Sequence, residues 1–83
     1  MFNMNNVRKG FTVYSFDGDK IGTIGDVGGE YFKTDTGFLG LGKDFYVPFT
    51  SIDHVDGDRV YLNVAKDRLS QMGWDRQPAG WMR

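Results

Sequence analysis

Hydrophobic positions in this chain recur mostly at every second residue, in short runs interrupted by glycine. The stretch from Gly10 to Val27 sets the pattern. Phe11, Val13 and Ser15 share one side of an extended segment, while Thr12, Tyr14 and Phe16 share the other. Asp17-Gly18-Asp19 follows, and then a second run, Lys20 to Val27, carrying Ile21, Thr23, Ile24 and Val27. Two β-rich runs around an Asp-Gly turn predict a hairpin. Ile21 and Ile24 are three apart, so strict alternation fails there, and Gly22 and Gly25 sit where a bulge or sharp bend returns both to the inside.

The rest of the chain predicts four more strands closing onto that hairpin. A third spans Tyr31 to Thr34 after the Gly28-Gly29 turn, and a loop with three glycines runs from Asp35 to Lys43. The fourth, Phe45 to Phe49, places Phe45, Val47 and Phe49 on one face; Pro48, which has no N–H to give a ladder, marks it as an edge or a strand end. A short fifth strand covers Ser51 to Val55, and Asp56-Gly57-Asp58 turns into a sixth, Arg59 to Val64, with Val60, Leu62 and Val64 inward. The expected core is Val13, Ile21, Ile24, Val47, Val60 and Leu62. Beyond Val64 the period changes: Ala65, Leu69 and Met72 recur at helical spacing, with Asn63 placed to cap, Gly73 placed to stop the helix and Trp74 placed to fold back on Leu69. This predicts a single all-β domain over 1–83, a small six-stranded barrel with one short C-terminal helix, its core at about 7–74 and a tail at 75–83.

Composition sharpens this picture in three ways. An 83-residue chain buries only about 60% of the surface its unfolded form exposes, and without cysteine no disulfide supplements that core, so self-association is one remaining source of stability. Ten Lys and Arg against eleven Asp and Glu give a net charge of −1, without the global positive field of a dedicated nucleic-acid or membrane-surface binder. No run of eighteen apolar residues and no signal-like N-terminus occurs, which leads to the expectation of a soluble, cytoplasmic chain without membrane insertion.

Candidate chemistry is sparse. Gly37-Phe-Leu-Gly-Leu-Gly42-Lys43 copies a phosphate-binding loop up to its lysine, but Asp44 stands where the magnesium-binding hydroxyl belongs and a strand follows in place of a helix. The Asp-Gly-Asp clusters at 17–19 and 56–58 lack the spacing of a calcium loop and read as turns. His54, the only histidine, reads as a solvent-facing strand residue, and Ser15, Ser51 and Ser70 lack a nucleophile context. No cofactor, metal or small-molecule substrate is expected, and the chain is not expected to be an enzyme. Seven Phe, four Tyr and two Trp are more aromatic surface than so small a core encloses, and Tyr14, Tyr46 and Tyr61 all fall opposite the inward set. The expected role is a non-catalytic protein-interaction module that self-associates as a homodimer through Tyr14, Tyr46 and Tyr61, with Phe38, Leu39 and Trp74 as further contacts. The alternative is a small RNA-binding barrel whose aromatics stack bases while Arg8, Lys9, Lys20, Arg59 or Arg76 touch phosphates.

Gly10-Phe-Thr-Val-Tyr14, Asp17-Gly-Asp-Lys-Ile-Gly22, Ile24-Gly-Asp-Val27, Phe45-Tyr-Val-Pro-Phe49, Ile52 and Arg59-Val-Tyr-Leu62 together resemble the PRC-barrel domain, over roughly Val7 to Met72. Val60 to Ala65 with Gln71-Met-Gly-Trp-Asp-Arg76 is similar to small stand-alone bacterial members of that clan known only as domains of unknown function. The resemblance implies a six-stranded, SH3-like barrel in a family whose members mostly dock onto other macromolecules. It brings no catalytic residues.

Overall fold

The computed structural model describes residues 7–35 and 44–79. Six strands form one sheet: β1 (Thr12–Tyr14), β2 (Lys20–Val27), β3 (Tyr31–Asp35), β4 (Asp44–Pro48), β5 (Ile52–Asp56) and β6 (Arg59–Leu62). Their spatial order is β4-β3-β2-β1-β6-β5, antiparallel throughout except for the parallel β1–β6 pair. A three-residue 3-10 turn, Phe49–Ser51, joins β4 to β5, which are the two opposite edges. A flat six-stranded sheet would hold its edges about 24 Å apart, five spacings of about 4.8 Å, whereas the four Cα steps from Pro48 to Ile52 reach at most about 15 Å. The sheet therefore curls. It is a half-barrel, open between β4 and β5 along the rest of their length, where the sequence predicts a barrel.

The inside of the curl is apolar. All six expected core residues are buried, joined by Val7, Phe32, Phe45, Phe49, Ile52, Leu69 and Trp74. Ile21 and Ile24 both point inward, and the β2–β3 register slips between Ile24 and Asp26, which makes Gly25 the expected bulge. Gly22 answers a different constraint. A Cβ there would lie 2.2 Å from the Asp35 carbonyl oxygen and 2.9 Å from Thr34 Cγ2, so only glycine lets the end of β3 cross β2 at this distance. Thr34 itself is fully buried with its hydroxyl unpaired, facing no polar partner.

Strand positions follow the expectation to within two residues at each end. The first strand, expected over Gly10 to Ser15, is shorter because its register shifts between Val13 and Tyr14 and the chain enters the turn at Ser15. The last ends at Leu62, two residues short of Val64, although the Asn63 N–H still reaches the Ser51 carbonyl in the register of the β5–β6 pair.

The C-terminal helix corrects two expectations. It is a 3-10 helix, Lys66–Gln71, and Asn63 does not cap it; Ala65 occupies the cap position without a side-chain bond. Six residues span about 12 Å in 3-10 form against about 9 Å as an α-helix. The longer reach suits a segment fixed at both ends, to Asp17 at its start and to β4 just after its finish. Gly73, at φ +75°, ends it in the left-handed conformation as predicted, and Trp74 joins Leu69 in the core.

Two substitutions test this packing. Gly22→Ala is expected to abolish the cooperative melt or to lower Tm more than any surface change, because backbone has to move to admit the methyl. Leu62→Ala is expected to cost about 2–5 kcal/mol, read as a loss in denaturant midpoint at constant m-value; an unchanged midpoint would remove Leu62 from the core.

Candidate aromatic interface

Period-two alternation turns Tyr14 on β1 and Tyr61 on β6 away from the core, because Val13, Val60 and Leu62 beside them are fully buried. Sheet register then brings them together: Tyr14 pairs with Tyr61 across the parallel β1–β6 ladder, and His54 on β5 pairs with Tyr61 from the other side. The three rings stack in a row. Tyr14 and Tyr61 lie 5.1 Å apart at 18°, and Tyr61 and His54 4.5 Å apart at 8°. These separations match the strand spacing of about 4.8 Å, so each ring stands upright on the sheet with its faces against its neighbours. Ring edges and the Tyr hydroxyls are what the row presents outward.

Polar groups fix both ring orientation and charge along this row. Arg59, two residues before Tyr61 on the same face, hydrogen-bonds the Tyr61 side chain, and that bond with the neighbouring Tyr14 holds the guanidinium above its ordinary value. At the β5 end, His54 Nδ1 lies 2.7 Å from Asp53 Oδ2. At the β2 end, Lys20 pairs with Tyr14 in the β1–β2 register. Phe16, in the turn after β1, is 69% exposed. The sequence places Tyr14 and Phe16 on one side of the first strand, Tyr61 outward and His54 toward solvent, but counts only the two tyrosines among the contact residues. His54 joins the row only through the β5–β6 register, which the Asp53 irregularity conceals.

The other expected contact residues lie elsewhere. Tyr46 is on β4, and its N–H donates to the Trp74 carbonyl at 2.7 Å. The ring of Trp74 is buried in the core, so the expectation that it forms an exposed contact is corrected: what it offers β4 is its backbone. Between them runs a groove of about 360 Å³ walled by Tyr31, Tyr46, Pro48, Met72, Trp74 and Arg76. Phe38, Leu39 and the phosphate-loop lookalike at 37–43 lie outside the described residues. The predicted set thus splits into a row on β1–β6 and a separate place on β4. Among the described residues no three His, Asp or Glu side chains converge as a metal site.

The family model of an uncharacterized protein conserved in bacteria, DUF2171, matches residues 7–70. The chain belongs to this bacterial family. The matched segment contains all six strands, the aromatic row and most of the 3-10 helix. No curated protein matches the chain. Among the described residues of this DUF2171 domain, no helix is long and apolar enough to cross a membrane.

One more constellation holds the aromatic face in place. Ser15 is fully buried at the end of β1; its hydroxyl donates to the Asp17 carboxylate and accepts the Asp19 N–H at 3.1 Å. Asp17 is held below its ordinary value chiefly by that Ser15 bond, which outweighs the opposing effect of desolvation, with lesser help from its own backbone N–H, the Lys66 backbone N–H and the Lys66 ammonium. One carboxylate therefore ties the hairpin turn to the first residue of the 3-10 helix and supplies the cap that Ala65 lacks. A carboxylate depressed in the folded chain stabilises it when ionised; that contribution is whole above the free value of 3.8 and is lost as pH falls through the lower folded value. Asp17→Asn is expected to lower Tm at neutral pH and to make Tm fall less steeply on acidification below about pH 4. Parallel Tm–pH curves for the two proteins would detach Asp17 from this role.

Proposed function

We propose that this domain is a non-catalytic protein-interaction module, a small SH3-like barrel of the PRC type in the bacterial cytoplasm, which docks through the outer face of β1, β6 and β5. The observation that carries the reading is the Tyr14–Tyr61–His54 row. Upright, mutually stacked rings restrict one another's rotamers, so ordering them costs a binding event less rotamer entropy. They expose hydroxyls and ring edges beside a cation, Arg59. That mixture of aromatic and Arg character favours contact with another protein surface.

The same geometry weighs against the RNA-binding alternative. Bases stack on open ring faces, and a base inserted between two rings needs them about 7 Å apart, twice a van der Waals contact. Separations of 5.1 and 4.5 Å leave no such gap. His54, covered by Tyr61 on one face and tied to Asp53 at Nδ1, serves in this reading as the end of the row and not as a general base.

Affinity capture from the native cell with parent and Tyr61→Asp baits tests the reading. A partner held by the parent and lost with the variant is expected, with both baits folded by near-ultraviolet circular dichroism. Flow-through on a single-stranded oligonucleotide column at low salt is expected as well. Salt-sensitive retention that Tyr61→Asp abolishes would replace the protein partner with nucleic acid.

A further inference from the structure

Neither edge of the sheet invites another strand. On β5, the register slips at Asp53, and Asp53 and Asp56 put exposed carboxylates on a short strand. On β4, the odd-numbered amides face β3, as the Phe49 N–H bond to the Glu30 carbonyl shows just beyond its end. Of the even positions, Tyr46 already donates to Trp74 and Pro48 has no N–H. Between Tyr46 and Pro48, where β4 borders the groove, no main-chain donor is left.

Side chains are what the groove offers instead. Burial alternates along β3 and β4, so Tyr31 on one and Tyr46 and Pro48 on the other stand on the outer side of the sheet. Register sets Tyr31 directly opposite Pro48, with Tyr46 two residues back along β4. The facing wall is the segment at 72–78, held to β4 where the Trp74 carbonyl accepts the Tyr46 N–H, and it contributes Met72, Arg76 and Pro78. Met72 is one of two large apolar side chains that stand exposed among the described residues. Arg76 is the one charged residue lining the groove, and among the described residues no carboxylate pairs with it. Lys33, opposite Tyr46 in the register, is already paired with Asp44 at 3.4 Å. Rings, two prolines and one uncompensated positive charge therefore meet in one trough.

We infer that this groove takes an extended, proline-rich segment of another protein, with an acidic side chain of that segment set against Arg76. It is a second contact site, on strands other than those that carry the aromatic row, and it stands whether or not the row docks a partner. A polyproline II segment suits these walls because its main chain forms no ladder, so it asks for none of the donors that β4 lacks. It packs on aromatic side chains instead, and its preformed backbone loses little entropy on binding. A strand-forming partner would need those donors. The groove's volume of about 360 Å³ lies near the small end of the range of about 300–1,000 Å³ for ligand sites. It admits a short segment and excludes a folded surface. Charge complementarity selects an acidic sequence over a basic one, and a single unpaired cation gives a nucleic-acid strand too few phosphate contacts to hold it.

Isothermal titration calorimetry with synthetic peptides built on Pro-Pro-Glu-Pro-Pro, Pro-Pro-Gln-Pro-Pro and Ala-Ala-Glu-Ala-Ala tests both halves of the inference. The parent is expected to bind the first about threefold more tightly than the second, the gain of one exposed ion pair. It is expected to bind the first about tenfold more tightly than the third, whose backbone is not preformed. Arg76→Gln is expected to remove the preference for Glu over Gln and to leave the affinity for the Gln peptide unchanged. Tyr31→Ala is expected to weaken both proline peptides about tenfold, and Tyr61→Asp, on the other face, to leave them unaffected. Thermal melts confirm that each variant is folded, and the exposed Arg76 keeps the test decisive should Tyr31→Ala unfold. A parent that ignores the Glu peptide, or binds the alanine peptide equally well, overturns the inference. So does a Glu preference that survives Arg76→Gln, proline binding that a folded Tyr31→Ala retains, or binding lost with Tyr61→Asp. Tighter binding by Trp81→Ala would give the groove to the chain's own end, and displacement of the peptide by a single-stranded oligonucleotide would give it to nucleic acid; either result also overturns it.

Discussion

Three residues between Pro48 and Ile52 join strands that stand at opposite ends of a six-stranded sheet, and that short tether is what forces the sheet to curl. Both ends of the tether are secured: the Phe49 N–H reaches the Glu30 carbonyl on one side, and the Ser51 carbonyl receives the Asn63 N–H on the other. Phe49 is buried, with its ring 5.9 Å from that of Phe32. Curling divides the residues into two populations. Those inside become a core sealed by Leu69 and Trp74, and those outside are presented on a convex surface where neighbouring side chains are kept at strand spacing. The upright aromatic row is a product of that division, since register alone sets the distance between Tyr14, Tyr61 and His54.

Contacts that are local in sequence were legible without the structure, and contacts made by distant partners were not. Alternation gives the inward set of β6 and β4, and the Ile21–Ile24 irregularity with its glycines gives the bulge at Gly25. Gly73 and Trp74 reveal the end of the last helix because the stop signal and the apolar return lie within five residues of Leu69. The start of that helix was misread for the opposite reason: its cap comes from Asp17, almost fifty positions upstream, and Asn63 spends its backbone on Ser51. The open side of the barrel was hidden too, because no periodicity encodes which strands remain unpaired.

The candidate interface has the same character. Tyr14 and Tyr61 could each be placed outward from their own strand, yet only a parallel pairing between strands more than forty residues apart makes them neighbours. Tyr46 looked equivalent to them and is not, since it belongs to an edge that the chain's own C-terminal segment covers. A tyrosine on a strand is thus not a unit of recognition by itself; its neighbours across the sheet decide whether its face, its edge or neither is available.

Both edges are blunted by different means, and this constrains how such a domain joins a larger assembly. Main-chain pairing at an edge is strong and tolerant of sequence, which makes it hard to limit to one partner. A side-chain contact on a convex face is weaker, and its selectivity comes from the order of charges and rings along it. The Lys33–Asp44 pair, 3.4 Å apart across β3 and β4, illustrates the limit: with both side chains more than a third exposed, it adds little to stability. Placed between two surfaces and shielded from water, charges of the same kind decide which surface fits.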